Sequence, residues 1–156
     1  MGYSTDFIGS FKLNKPLDAE TLALLTGLAS TRRMGRKGLD SKYGVEGEFY
    51  VDAAGYAGQD KDVSIIDYNR PPKTQPGLWC QWTPNGDGTE LEWDGNEKFY
   101  EYVPWIEYLI DAVLAPRGYT LTGDVQWYGE DREDLGVIQV KNNVVKVKYG
   151  MIVFTE

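Results

Sequence analysis

Val137-Ile138-Gln139-Val140-Lys141-Asn142-Asn143-Val144-Val145-Lys146-Val147-Lys148-Tyr149 is the stretch that decides the fold. Two β-branched runs flank an Asn pair, and Asn tolerates the positive φ values that a two-residue hairpin requires. Ile138, Val140, Val145, Val147 and Tyr149 are placed to pack, while Lys141, Lys146 and Lys148 point outward. Just upstream, Leu121, Gly123, Val125 and Trp127 share one face of a further strand. The C-terminal part therefore reads as a three-stranded meander.

Working back along the chain, Phe99, Tyr102, Val103, Ile106, Leu109, Ile110, Val113 and Leu114 recur at spacings of three and four, the signature of a helix with one apolar face. Pro104 lies inside that run, so the regular helix begins near Tyr100 or Glu101 behind a separate turn, or else kinks. Leu78–Trp82 and Glu90–Asp94 alternate around Pro84-Asn85-Gly86-Asp87-Gly88 and predict a second hairpin. Leu78, Cys80, Trp82, Leu91 and Trp93 form its inner face. Trp79 and Gln81 share the other face with Glu90, Glu92 and Asp94. Near the N-terminus, Thr5–Leu13 reads as a strand. Asp18 then caps a first helix from about Ala19 to about Arg33, stapled by Leu17 and Leu22. From Gly35 to Thr74 the pattern is looser, with a short strand at Glu48–Val51 and turns at Ala53–Gly58 and Asn69–Pro72; long irregular connections of this kind often carry function. Strands linked by hairpins on both sides of a helix predict an α+β fold: a single domain over residues 1–156, largely antiparallel, with two helices.

Composition narrows the function. The 156 residues include no histidine and one cysteine, Cys80. That excludes Ser-His-Asp and Cys-His nucleophile pairs, imidazole zinc sites and an internal disulfide. No apolar run is long enough to span a membrane, and the start of the chain does not resemble a secretory signal, so a cytoplasmic location is expected. The net charge is −8. Arg32, Arg33, Arg36, Lys37 and Lys42 against Asp40 alone give a local excess of +4, which leaves −12 on the remainder. Such a balance disfavours direct nucleic-acid binding. The basic run reads either as a solvated segment that complements a helix C-terminus or as an anion site.

Other constellations are weaker. Glu90, Glu92 and Asp94 alternate and present three acids on one strand face, either surface chemistry or a metal-binding or hydrolytic set. Asp124 with Gln139-Val140-Lys141 loosely matches a nuclease motif, with Gln where an acid is usual. Cys80 has no base to activate it and reads as a buried thiol. Tyr68, Asn69, Arg70 and Gln75 form a segment rich in rigid and hydrogen-bonding groups, of the kind that suits contact surfaces.

The strings Asp67-Tyr68-Asn69-Arg70-Pro71-Pro72, Gln75–Trp82 and Glu92–Tyr100, with Thr31-Arg32-Arg33-Met34 and Gly129-Glu130-Asp131, resemble a family of small uncharacterised bacterial and phage-borne proteins. The resemblance runs nearly end to end, with Pro104 departing from the pattern, and it implies no catalytic residues. Its phage association implies a small protein that occupies a host protein or ligand. The expectation is a non-catalytic binding protein acting through protein–protein contact, of the acidic-inhibitor kind, with no cofactor and no metal. Its contact residues are Arg32, Arg33, Arg36, Lys37, Tyr68, Asn69, Arg70, Gln75, Trp79 and Gln81. The alternative is a binder of a small phosphorylated or nucleotide-like anion, with Arg32, Arg33 and Trp79 in one pocket; a metal-dependent hydrolase or nuclease comes third.

Overall fold

Asn142 and Asn143 adopt φ values of 47° and 70°, and Lys141 pairs directly with Val144 across them. The expected two-residue hairpin is present. In this computed structural model, which describes residues 2–51 and 62–156, the strands are β1 (Thr5–Gly9), β2 (Phe11–Leu13), β3 (Gly35–Arg36), β4 (Ile65–Asp67), β5 (Trp82–Pro84), β6 (Glu90–Trp93), β7 (Leu121–Gly129), β8 (Leu135–Lys141) and β9 (Val144–Tyr149). The helices are α1 (Ala19–Ser30) and α2 (Tyr102–Tyr108). Seven strands form one antiparallel sheet in the order β5-β6-β2-β7-β8-β9, with β1 also on β7; β3 and β4 pair separately. The fold is α+β and ends in the β7-β8-β9 meander.

The sheet is two-faced. Leu121, Val125 and Trp127 of β7 are buried while Thr122, Asp124, Gln126 and Tyr128 are exposed, the period of two that a half-covered strand imposes. On the inner side, Phe7, Phe11, Trp82, Leu91, Ile138 and Val140 meet Leu25 and Leu28 of α1 and Trp105 and Ile106 of α2 in one core. Phe7 lies within 5.6 Å, centroid to centroid, of Trp82, Trp93, Phe99 and Tyr102, in tilted or edge-on contacts that suit aromatic quadrupoles. No helix among the described residues is long and apolar enough to cross a membrane.

Several boundaries differ from the sequence expectation. The N-terminal strand is two strands, interrupted at Ser10. There the backbones run so close that a Cβ on Gly9 would sit 2.5 Å from the Asp124 carbonyl oxygen. Asp18 caps α1 as expected, its carboxylate accepting from the Thr21 amide at 2.7 Å, but the helix stops at Ser30. The basic run therefore follows the helix and does not line its last turn. Glu48–Val51 is not a strand: Glu48 and Phe49 form a turn, and the carbonyls of Glu48 and Tyr50 accept from a buried arginine. The expected turn at Ala53–Gly58 lies outside the described residues. Leu78–Gln81 has no ladder pairing, so the hairpin begins only at Trp82, opposite Trp93. Pro104 is the third residue of α2, where its missing donor is harmless, and the helix continues as a π-helical stretch, Leu109–Leu114.

Candidate functional site

Beyond Ser30 the chain is fastened to the segment that leads into β5: the Arg33 amide donates to the Leu78 carbonyl at 2.7 Å. This bond sets the end of α1 beside the Trp79–Thr83 segment. Between them and the loop after β6 lies a cleft of about 700 Å³ lined by Thr26, Ala29, Ser30, Arg32, Trp79, Gln81, Thr83, Asp94, Asn96 and Glu97. The alternation read from sequence builds one wall. Cys80 and Trp82 enter the core while Trp79, Gln81 and Thr83 line the cleft.

The loop that forms the far wall is fixed by side chains. Gln81 accepts from the Trp93 indole N–H at 3.0 Å and donates to the Glu97 carbonyl at 2.9 Å. The same indole N–H also reaches the Asn96 carbonyl at 3.1 Å. Asp94 accepts from the Asn96 amide at 2.9 Å, closing an Asx turn. Partial burial raises the Asp94 carboxyl above its ordinary range, against the lowering effect of that amide.

Of the ten expected contact residues, the structure brings Arg32, Trp79 and Gln81 to the cleft, with Tyr68 and Asn69 just behind it. Arg32 donates from Nε to the Tyr68 carbonyl at 3.1 Å and from Nη2 to the Asn69 side chain at 3.3 Å. Lys37 and Arg70 are exposed elsewhere on the surface, Arg70 facing Asp67 at 3.6 Å.

Arg33, Arg36 and Gln75 serve the interior instead. Arg33 is 2% exposed and donates to the Tyr50 carbonyl at 2.6 Å, the Glu48 carbonyl at 2.8 Å and Gln75 Oε1 at 3.3 Å. Burial lowers its pKa to about 10, still cationic at neutral pH. Gln75 continues the network to the Glu48 carbonyl at 2.6 Å and the Tyr108 hydroxyl at 3.2 Å. Arg36, also buried, bonds Ser64 at 2.9 Å and Asp62 at 3.3 Å, with its guanidinium over the Tyr50 ring at 4.1 Å. The expected pocket shared by Arg32, Arg33 and Trp79 is thus corrected. Arg33 turns its fork to the carbonyls of an irregular loop, and Arg36 to Ser64 and Asp62, so two of the cluster's five cations are structural.

The acids of the hairpin do not act together. Glu90 accepts from Ser10 at 3.3 Å and Asn85 at 3.4 Å, while Asp94 belongs to the cleft. Among the described residues no three acidic or cysteine side chains gather closely enough to hold a metal ion. Asp124 faces Gln139 across the β7–β8 ladder. Cys80 is fully buried and its thiol is pushed up to about 12, which leaves little thiolate at neutral pH.

Sequence reasoning missed Thr26, Ala29, Ser30, Thr83, Asn96 and Glu97, and read Asp94 only as one of the hairpin acids. Thr26, Ala29 and Ser30 fall at helical spacings of three and four, but only the tertiary fold shows that they line a cleft. Comparison with protein-family models, with curated proteins and with solved structures gives no match.

Proposed function

We propose that this is a non-catalytic, cytoplasmic binding protein that works by contact with a protein partner bearing a basic surface. The observation that carries the reading is the cleft itself. A rigid rim gathers Trp79, Gln81 and Arg32 with Asp94, Asn96 and Glu97 at the end of a helix, combining an aromatic anchor with oriented polar groups. Two features support it further: a net charge of −8, and a sole thiol raised far above the range of a nucleophile. An acidic chain approaching a basic, nucleic-acid-handling protein gains association rate from complementary fields. The phage-borne resemblance favours an inhibitor of a host or defence protein.

Capture of partners from lysate at low and at moderate salt, followed by reconstitution of the identified pair from purified components, tests this. The expected result is a stoichiometric complex weakened about tenfold or more by Trp79→Ala. No partner at either salt, or a substrate consumed by the purified protein, contradicts it.

A second reading rests on Arg32: a nucleotide-like anion would meet that guanidinium and stack on Trp79. It ranks behind because Arg33 and Arg36 are engaged elsewhere. A nucleotide panel that raises the melting temperature of the wild type but not of Arg32→Gln would favour it.

A further inference from the structure

The chemistry of the cleft is more specific than a general contact surface. Among the described residues that line it are two acids, Asp94 and Glu97, and one cation, Arg32. That cation has already committed two N–H groups to Tyr68 and Asn69. Asp94 is the unusual member. It is half-buried, it accepts from the Asn96 amide, and among the described residues no lysine or arginine forms an ion pair with it. A carboxylate withdrawn from water without a cation disfavours its own charged form, which is why its pKa is raised. The fold nevertheless holds it in place: the Asp94 amide donates to the Gln81 carbonyl at 2.9 Å, and Gln81 grips Glu97. An incoming cation would relieve that desolvation penalty. Trp79 lines the same cleft, and an indole is the best of the aromatic faces for a cation.

We propose that the cleft receives an arginine side chain of the protein partner, its guanidinium bonded to Asp94 and Glu97 and stacked on Trp79. A planar fork suits this combination better than an ammonium, because it bonds a carboxylate with two parallel N–H groups while presenting a flat face to an aromatic ring. The proposal deepens the contact reading and rests on it. It also predicts the sign of the partner: basic, as the net charge of the chain favours.

The test is calorimetric titration of the whole protein with three blocked tripeptides, acetyl-Gly-X-Gly-amide, in which X is arginine, lysine or citrulline. Citrulline keeps the shape of arginine and removes its charge. The arginine peptide is expected to bind at least about tenfold more tightly than the citrulline peptide, with lysine between them. Asp94→Asn is expected to abolish most of that selectivity and Trp79→Ala to weaken binding. Trp79→Phe, which keeps an aromatic face should the alanine variant fold poorly, retains most of it. Equal binding of arginine and citrulline peptides overturns the proposal, as does no binding of any peptide, or tighter binding of inorganic phosphate in the same cleft. If the peptides fail while capture of the identified partner still depends on Trp79, only the arginine assignment falls. If both fail, the contact reading falls with it.

Discussion

Gln81 and Trp93 are joined by a 3.0 Å hydrogen bond from the indole N–H to the amide oxygen, and through it the core of the hairpin holds the rim of the cleft. Gln81 is only 6% exposed, and its other end donates to the Glu97 carbonyl. It is a positioning residue, set between the hydrophobic interior and the loop that carries Asp94 and Glu97. Gln81→Leu removes a buried acceptor and a donor together. It is expected to lower stability by about 1–3 kcal/mol in urea denaturation and to weaken arginine-peptide binding without changing the preference for arginine over citrulline. Unchanged stability and unchanged affinity would show that the loop is held by other means.

Asp94 predicts a pH dependence whose sign can be fixed. Its folded-state pKa is raised above the ordinary 3.8, so the folded protein binds this proton more tightly than the unfolded chain does. The stability associated with the protonated form is fully present below the ordinary value and is lost as pH rises through the raised one. Asp94→Asn, which can still accept from the Asn96 amide, is therefore expected to raise the melting temperature near neutral pH, with the gain disappearing in acid below the ordinary carboxylate value. A substitution that stabilises the fold while removing ligand selectivity marks a residue kept for binding. A lower melting temperature for Asp94→Asn at neutral pH contradicts this account.

Arg33 predicts the opposite behaviour. Its guanidinium satisfies the Tyr50 and Glu48 carbonyls and the Gln75 side chain in the interior. Arg33→Met keeps much of the volume but removes the buried bonds to Tyr50 and Gln75 and one of the two donors on the Glu48 carbonyl, with an expected loss of about 3 kcal/mol or more. Arg32→Gln, by contrast, is expected to cost well under 1 kcal/mol, since that side chain lies at the edge of the cleft. Chemical denaturation of the two variants side by side checks the distinction; equal losses would mean that the two neighbouring arginines are not divided between interior and rim.

Cys80 is expected to be chemically silent in the native state. With the thiol fully buried and its pKa pushed up to about 12, a disulfide reagent at neutral pH should label it only at the rate of unfolding. Rapid labelling of the native protein would reveal an opening of the core around Trp82 that the packing does not show.

The elements with a strong period were legible in sequence. The Asn142-Asn143 hairpin and the Asp18 cap follow from local backbone chemistry, and the structure places them there; α2 begins at Tyr102, one or two residues after the expected Tyr100 or Glu101, with Pro104 in its first turn. The alternation that turns Cys80 inward and Trp79 and Gln81 toward the cleft was legible as well. Arg33 and Arg36 were not legible as interior residues. A cluster of cations reads the same whether it is solvated or folded inward against loop carbonyls, and the deciding partners Tyr50, Glu48 and Ser64 form no periodic pattern. Asn96 and Glu97 were missed because a cleft is a relation between distant segments. Glu97 joins it through a bond from Gln81, sixteen positions earlier in the chain.

The most direct measurement is the amide and indole NMR spectrum of the isotope-labelled protein as the arginine tripeptide is added. The account predicts saturable shifts centred on the Trp79 indole, Thr83 and Asp94–Glu97, absent in Asp94→Asn, with the outer sheet face around Ile8 and Tyr128 unmoved. Shifts centred on that outer face, or a wild-type spectrum unchanged at saturating peptide, would contradict it.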